Sequence, residues 1–307
     1  MKIGIDIGGS HIGVGLVDSD GKIIKLQERY IKEKKNLGTE EFIMQQIVSI
    51  INNWKYNENI EIKDIGVGAP GIVRQNEIVS SVNLGIYDFK IGDELKKYFP
   101  TANIGVMNDA KCAALAEKKW GSLKEHDDCI FLCLGTGVGG AAFYEGKLVK
   151  PRAFSGFEIG HMIIKKDGKP CKCGSNGCFE QYASMKYFKD TIKQKLNLNA
   201  DIEGQELYNI ITNNIKSKEV EVIIDEYINS VCTGLTNLTN ILEPQAICLG
   251  GGFVKYERIL LNKLKETFEN SKDIFYKEHI PELVVASFGN DAGMIGSTLI
   301  LDKKIFV

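Results

Sequence analysis

The sequence predicts an α/β protein made of two related domains that face each other across a cleft. Two observations carry this expectation. Apolar strand-like runs alternate with helical ones along the chain, and one unusual unit occurs twice. In its first copy "KIGIDIG" meets a glycine turn, runs straight on into a second strand, "IGVGLVD", and after "SDGK" into a third. The second copy, "CIFLCLGTGVGGAAFYEGKLV", repeats the plan, with turns at "GTG" and "YEGK". Aligning Gly8 with Gly135 brings Gly21 within two residues of Gly146, as a duplicated architecture requires.

Composition narrows the function classes. With 307 residues, 44% hydrophobic and 25% charged, the chain can bury a sizeable core, and wholesale disorder is excluded. A net charge of -2 lacks the basic excess of a protein whose main task is to hold phosphate backbones, so no nucleic-acid partner is expected. The chain opens on a strand-like segment with no leader pattern, and no apolar run approaches membrane-spanning length. A cytoplasmic protein without membrane contact is expected. Of the eight cysteines, Cys112, Cys129, Cys133, Cys232 and Cys248 sit singly in apolar or helical contexts and read as small buried hydrophobes. Cys171, Cys173 and Cys178 do not.

The glycine turns come next. "GTGVGG" loosely matches a dinucleotide-binding fingerprint, but the chain continues as strand where that fingerprint must open a helix. Gly8, Gly9, Gly137, Gly139 and Gly140 either only permit tight hairpins or let backbone N–H groups approach phosphate oxygens closely. A third cluster, "LGGGF" at 249–253, lies between an apolar strand and a helix. Three such clusters after apolar strands favour one nucleotide gripped from several sides. Asp6 ends the first strand, where its carboxylate serves either a turn or a magnesium ion against the phosphates. In "NIGVMNDAKCAALAEKKW", Asp109 stands at a helix N-terminus beyond a strand, either as an ordinary N-cap or as a carboxylate where ligands collect in α/β proteins.

The stretch "EIGHMIIKKDGKPCKCGSNGCFEQYAS", residues 158–184, sets one histidine and three cysteines on a short glycine-rich segment. One imidazole and three thiolates make a closed tetrahedral zinc set with no open position for metal catalysis. The spacing is unlike the two-by-two ligands and recognition helix of a DNA-reading finger. Free thiols on a loop are the alternative.

Taken together, "GIDIGGSHIGVGLVD", "GVGAPGIV", "NLGIYDF", "VMNDAKCAALAE", "CLGTGVGGA", "FEIGHM", "CKCGSNGCFEQYAS", "ICLGGGF" and "GNDAGMIGS" resemble, in order from residue 4 to residue 297, the sugar kinases of the ROK family (repressor, open reading frame, kinase). That resemblance implies a two-domain actin-like, hexokinase-like ATPase fold of duplicated ribonuclease H-like domains with a structural zinc site. It implies a small domain of residues 1–115 plus 290–307, closed by a helix that begins near Asn290 and returns to the first sheet, and a large domain of residues 116–289. Asp6 with Gly8, Gly9, Ser10 and His11 corresponds to the first phosphate loop, and Gly135, Thr136, Gly137, Gly139 and Gly140 to the second. Gly250, Gly251 and Gly252 correspond to the wall against the adenosine. Asp109 corresponds to the catalytic base, and Asn83, Asn108, Asp109, Glu158, His161 and Glu180 to residues that bind the sugar. His161, Cys171, Cys173 and Cys178 correspond to the zinc ligands, so that His161 serves both zinc and sugar. Ser10-His11 departs from the Thr-Lys usual in similar kinases; serine keeps the hydroxyl, and a fixed positive charge is lost.

The activity so implied is transfer of a phosphoryl group from magnesium ATP to the 6-hydroxyl of a hexose by a cytosolic glucokinase-like homodimer. Kinases of N-acetylmannosamine, N-acetylglucosamine or fructose are the alternatives within the class. Outside it stand a sugar-responsive transcriptional regulator lacking its DNA-binding domain and a zinc-stabilised sugar-binding protein without catalysis. Because the cysteines lie between Glu158 and Glu180 while the phosphate loops sit on separate hairpins, the metal is expected to support sugar binding more than nucleotide binding.

Overall fold

A computed structural model describes residues 1–34, 36–149 and 156–306, and of Lys303 the backbone alone. The chain begins with β1 (Lys2–Ile7), β2 (His11–Val17) and β3 (Ile23–Tyr30), then α1 (Thr39–Asn57) and β4 (Asp64–Ala69). Three short strands follow, β5 (Ile72–Arg74), β6 (Glu77–Ser81) and β7 (Ile86–Phe89), then α2 (Ile91–Tyr98), β8 (Asn103–Asn108) and α3 (Asp109–Lys119). The second half holds β9 (Cys129–Leu134), β10 (Val138–Tyr144) and β11 (Lys147–Leu148), the helices α4 (Glu180–Ala183), α5 (Met185–Lys195), α6 (Gly204–Asn213) and α7 (Lys218–Leu242), then β12 (Ala246–Gly250), α8 (Phe253–Glu269), β13 (Glu282–Val285) and α9 (Ala292–Ser297).

The duplication read from the glycine turns is present in the topology. One sheet has the order β3-β2-β1-β4-β8 and the other β11-β10-β9-β12-β13, strand for strand the same plan. Each sheet combines an antiparallel pair with parallel strands: β1 pairs antiparallel with β2 and parallel with β4, while β10 pairs antiparallel with β11 and β12 runs parallel to both β9 and β13. The strands β5, β6 and β7 form a separate antiparallel sheet. Two compact units result, one of Met1–Asp127, Ala141–Phe157 and Ser287–Val307, the other of Asp128–Gly140 and Glu158–Ala286.

In the first unit, Phe42, Ile43, Ile47, Ile50, Ile51 and Trp54 form the buried stripe of α1, at the three-and-four spacing of one helix face. They pack with Ile3, Ile5, Ile7, Val14, Ile65 and Val67 of the sheet. Helix α9 belongs to this unit and lies so close that a Cβ on Gly66 of β4 would coincide with the Ser297 carbonyl. The Ile5 N–H donates to Ser297 Oγ at 3.2 Å, and Lys2 Nζ to the Thr298 carbonyl at 3.0 Å. A 3₁₀ turn, Gly289–Asp291, precedes α9, and the helix tightens after Ser297 into i+3 turns at Thr298, Leu299 and Ile300. Glu117 of α3 anchors the approach to α9. Its fully buried carboxylate accepts from the N–H groups of Ser122, Ser287 and Phe288 at 2.9, 2.8 and 2.9 Å and from Ser287 Oγ at 2.9 Å.

The second unit is built on aromatic packing: Phe131, Phe179, Phe188, Tyr227, Phe253 and Phe268 are its largest fully buried side chains. Tyr227 of α7 packs against Phe188 with ring centroids 4.8 Å apart and planes tilted by 45°, and donates its hydroxyl to the Ala183 carbonyl at 3.0 Å, which fixes the segment that follows the cysteines. Among the described residues no helix is long and apolar enough to cross a membrane.

Candidate active site

In the first unit, Asp6 near the end of β1 and Asn108 at the end of β8 lie at the carboxyl ends of parallel strands separated by β4, the edge where α/β proteins bind ligands. Asn108 is the N-cap of α3: its Oδ1 accepts from the Lys111 N–H at 3.2 Å, while its Nδ2 donates to the Gly71 carbonyl at 3.2 Å. Capping is thereby done by Asn108. Asp109 is the first helical residue, and its Oδ1 accepts from the Ala110 N–H at 2.8 Å.

Asp6 senses the charge of Asp109. Burial pushes Asp6 up to about 7, with further contributions from the charges of Asp109 and Asp291. Burial likewise raises Asp109, against the hydrogen bonds that favour its ionised form. The Cys112 thiol, buried beside them, is raised by burial and then by both carboxylates. No described residue hydrogen-bonds the Asp6 carboxylate, so a hard oxygen ligand is left open, as a magnesium ion requires. At the first loop the Gly8 N–H donates to the His11 carbonyl at 2.9 Å, the Ile31 N–H donates to the Ser10 carbonyl at 2.9 Å, and Gly9 and Ser10 are exposed. The His11 ring lies against Gly8, with Cε1 3.0 Å from where a Cβ would be. Asn83 is exposed in the β6–β7 turn.

A pH dependence follows from Asp6. The folded protein holds this proton up to about pH 7, whereas an unfolded aspartate releases it near 3.8. Between those values the native state binds more protons, so stability falls as pH rises through the window and levels off above it. Without divalent cations, the melting temperature of the parent is expected to rise from pH 7.5 to pH 6 relative to that of Asp6→Asn. Parallel pH profiles for the two proteins would contradict the assignment.

In the second unit, the loop between β9 and β10 is closed by the Gly135 N–H on the Gly137 carbonyl at 2.9 Å, and Thr136 is exposed at its tip. Gly139 and Gly140 continue into β10. Glu180 clamps this loop: Oε2 accepts from the Val138 N–H at 2.9 Å, and a Cβ on Gly137 would collide with that oxygen. The Lys186 N–H reaches the Gly135 carbonyl at 3.2 Å. Gly250 ends β12, Gly251 has φ +68°, and Gly252 caps α8.

His161, Cys171, Cys173 and Cys178 bring one ligand atom each within 4.8 Å of one another. Cys173 Sγ lies 3.6 Å from Cys178 Sγ, and Cys171 Sγ 3.7 Å from His161 Nδ1. Zinc–sulfur bonds of about 2.3 Å set at tetrahedral angles imply ligand separations of about 3.8 Å, so the donor set fits that ion. Burial pushes the Cys178 thiol up to about 12, and the neighbouring thiols Cys173 and Cys171 add to this; a metal would displace its proton. Glu158 directly precedes the 3₁₀ turn Ile159–His161, and its carbonyl accepts from the His161 N–H at 3.0 Å.

The chain matches the ROK family profile over residues 2–304. It belongs to the ROK family. Glucokinase of Thermotoga maritima is 28% identical to this ROK protein over 99% of the present chain and 98% of its own. A ROK glucokinase of Streptomyces griseus, solved with glucose and AMPPNP, superposes with a TM-score of 0.81 at 26% identity, covering 97% of each chain. The xylose repressor of Bacillus subtilis is 27% identical over 98% of the present chain and 77% of its own, so the family includes regulators.

Two features of this ROK chain escaped its sequence. Asp291, just before α9, reaches the electrostatics of Asp6 across nearly the whole chain; its only local sign is an acid ahead of a run of small residues. The second is that Glu180, two residues after Cys178, holds the loop between β9 and β10, so the cysteine cluster and that loop are linked within one unit. Cys173→Ser is therefore expected to lower thermal stability and to weaken sugar and ATP binding together. Calorimetric titration with each ligand checks this, and ATP affinity unchanged beside weakened sugar affinity would show the two to be uncoupled.

Proposed function

We propose that this ROK protein transfers the γ-phosphoryl group of ATP to the 6-hydroxyl of a hexose, glucose first among them. The observation that carries the reading is Asp109: a desolvated carboxylate relieved of capping by Asn108, in a chain similar over its whole length to glucokinases. A raised carboxylate is a stronger base toward an attacking hydroxyl, and phosphoryl transfer asks little else of the protein than alignment and charge neutralisation.

Asp109 accepts the hydroxyl proton. Asn83, Asn108, Glu158, His161 and Glu180 hold the sugar hydroxyls, and the backbone of residues 8–11 and 135–140 holds the phosphates. Gly250, Gly251 and Gly252 lie along the adenosine. Asp6 would hold magnesium, which when bound neutralises charge on the phosphoryl oxygens. His161, Cys171, Cys173 and Cys178 would hold zinc as a structural clip. Exclusion of water from the loaded site keeps the same machinery from hydrolysing ATP.

A coupled assay of ADP release with glucose, fructose, mannose, N-acetylglucosamine and N-acetylmannosamine tests the proposal. Sugar-dependent release, highest with glucose, is expected. Another preferred sugar would move the substrate within the class. Sugar binding without turnover would support a regulator, and neither binding nor turnover would overturn the reading.

A further inference from the structure

We propose that Lys111 is a positioning residue for sugar binding, its ammonium pinning the chain immediately ahead of Glu158. The inference rests on the sugar-binding role proposed for Glu158. Lys111 lies on α3 two residues beyond Asp109 and is only 6% exposed. Burial of an ammonium is costly unless its donors are satisfied, and the other side chains this helix buries around it, Ala110, Cys112, Ala114, Leu115 and Ala116, are small or apolar. Lysine therefore has to be accounted for by what it holds. Its Nζ donates to the Gly156 carbonyl at 2.8 Å, forty-five residues further along the chain.

The residues just beyond Gly156 give the contact its use. Phe157 has φ +66°, a left-handed conformation that costs a bulky aromatic residue on the order of 1–3 kcal/mol and persists only where the surroundings impose it. At the next peptide bond the chain leaves the first unit, and Glu158 opens the turn that ends at His161. Two residues of chain span at most about 7 Å. A fixed Gly156 carbonyl, a strained Phe157 and the turn after it leave the Glu158 backbone little freedom. Lys111 thus acts on substrate through Glu158 and touches no substrate itself.

The test uses Lys111→Met, which keeps length and packing but donates nothing, and Lys111→Arg, which keeps a cation and donors. For Lys111→Met the sugar KM is expected to rise about tenfold or more, with kcat within about threefold and the ATP KM unchanged. Hydrogen exchange over residues 156–161 is expected to quicken without a fall in melting temperature, and Lys111→Arg to restore most of the sugar affinity. In a Glu158→Gln background the same substitution is expected to add little. If Lys111→Met does not fold, Lys111→Gln, too short to reach the carbonyl, takes its place.

An unchanged sugar KM in a parent active on some sugar overturns the positioning role alone. So does a rise in both KM values with a lower melting temperature, or full additivity with Glu158→Gln. A parent that neither binds nor phosphorylates any of the five sugars overturns the kinase reading and the positioning role with it.

Discussion

Asp109→Asn is expected to lower turnover by about 10²–10⁴-fold, the usual worth of general-base assistance. The fold should survive, because the N-cap of α3 is Asn108 and an asparagine at position 109 can still accept from the Ala110 N–H. Replacing a carboxylate that burial already disfavours as an anion removes a desolvation cost, so the melting temperature at pH 8 is expected to equal or exceed that of the parent. Sugar and ATP affinities should stay close to those of the parent, since only the proton acceptor is lost. Measuring kcat, both affinities and melting on one preparation makes the pattern specific. Turnover within a few-fold of the parent would mean that the proton goes elsewhere.

Glu117→Ala is expected to be the most destabilising single change at a charged residue of the first unit. Four donors converge on this carboxylate, from Ser122, from both polar groups of Ser287 and from Phe288. Each buried donor left unsatisfied costs about 1–3 kcal/mol, against a total stability of about 5–15 kcal/mol. At about 2–4 °C per kcal/mol, the melting temperature should fall by on the order of 10 °C. Glu117→Gln should recover only part, because each carboxylate oxygen faces two donors and the amide must turn its NH₂ group toward one of those pairs. A fall of less than about 2 °C for the alanine variant would show that water replaces the carboxylate freely.

How much of this was legible beforehand depended on sequence distance. The paired hairpins could be read because each is local: an apolar run, a glycine turn and a second apolar run within about twenty residues. The metal cluster was equally local, with its three cysteines between residues 171 and 178 and its histidine ten residues upstream of the first. The small β5–β6–β7 sheet left little trace, its strands being three to five residues long and partly exposed. The helix expected to begin near Asn290 starts at Ala292 and ends at Ser297, where the chain tightens into i+3 turns on the sheet. Glu117 reads as one more charge on an alanine-rich helix, because two of its partners lie 170 and 171 residues away. Lys111 and Glu180 were hidden in the same way, their backbone partners being 45 and 42 residues distant. Local periodicity reports which face of an element is buried, but it carries no record of which distant backbone a polar side chain will meet.

The return of α9 to the first sheet bears on how the chain acquires its structure during synthesis. Every segment of the second unit has been made once Ala286 is added, while the first unit, although it contains the N-terminus, still lacks Ser287–Val307. Until those residues emerge, Gly4 and Gly66 present bare backbone where α9 will lie, and Glu117 has neither Ser287 nor Phe288 to receive. N-terminal domains usually fold first during synthesis; here the second unit is the first to have all of its residues. On the ribosome the unit with the aromatic core has all of its residues before the unit that holds Asp6 and Asp109 receives α9, so a chain terminated at Ala286 would lack the helix that Gly4 and Gly66 accommodate.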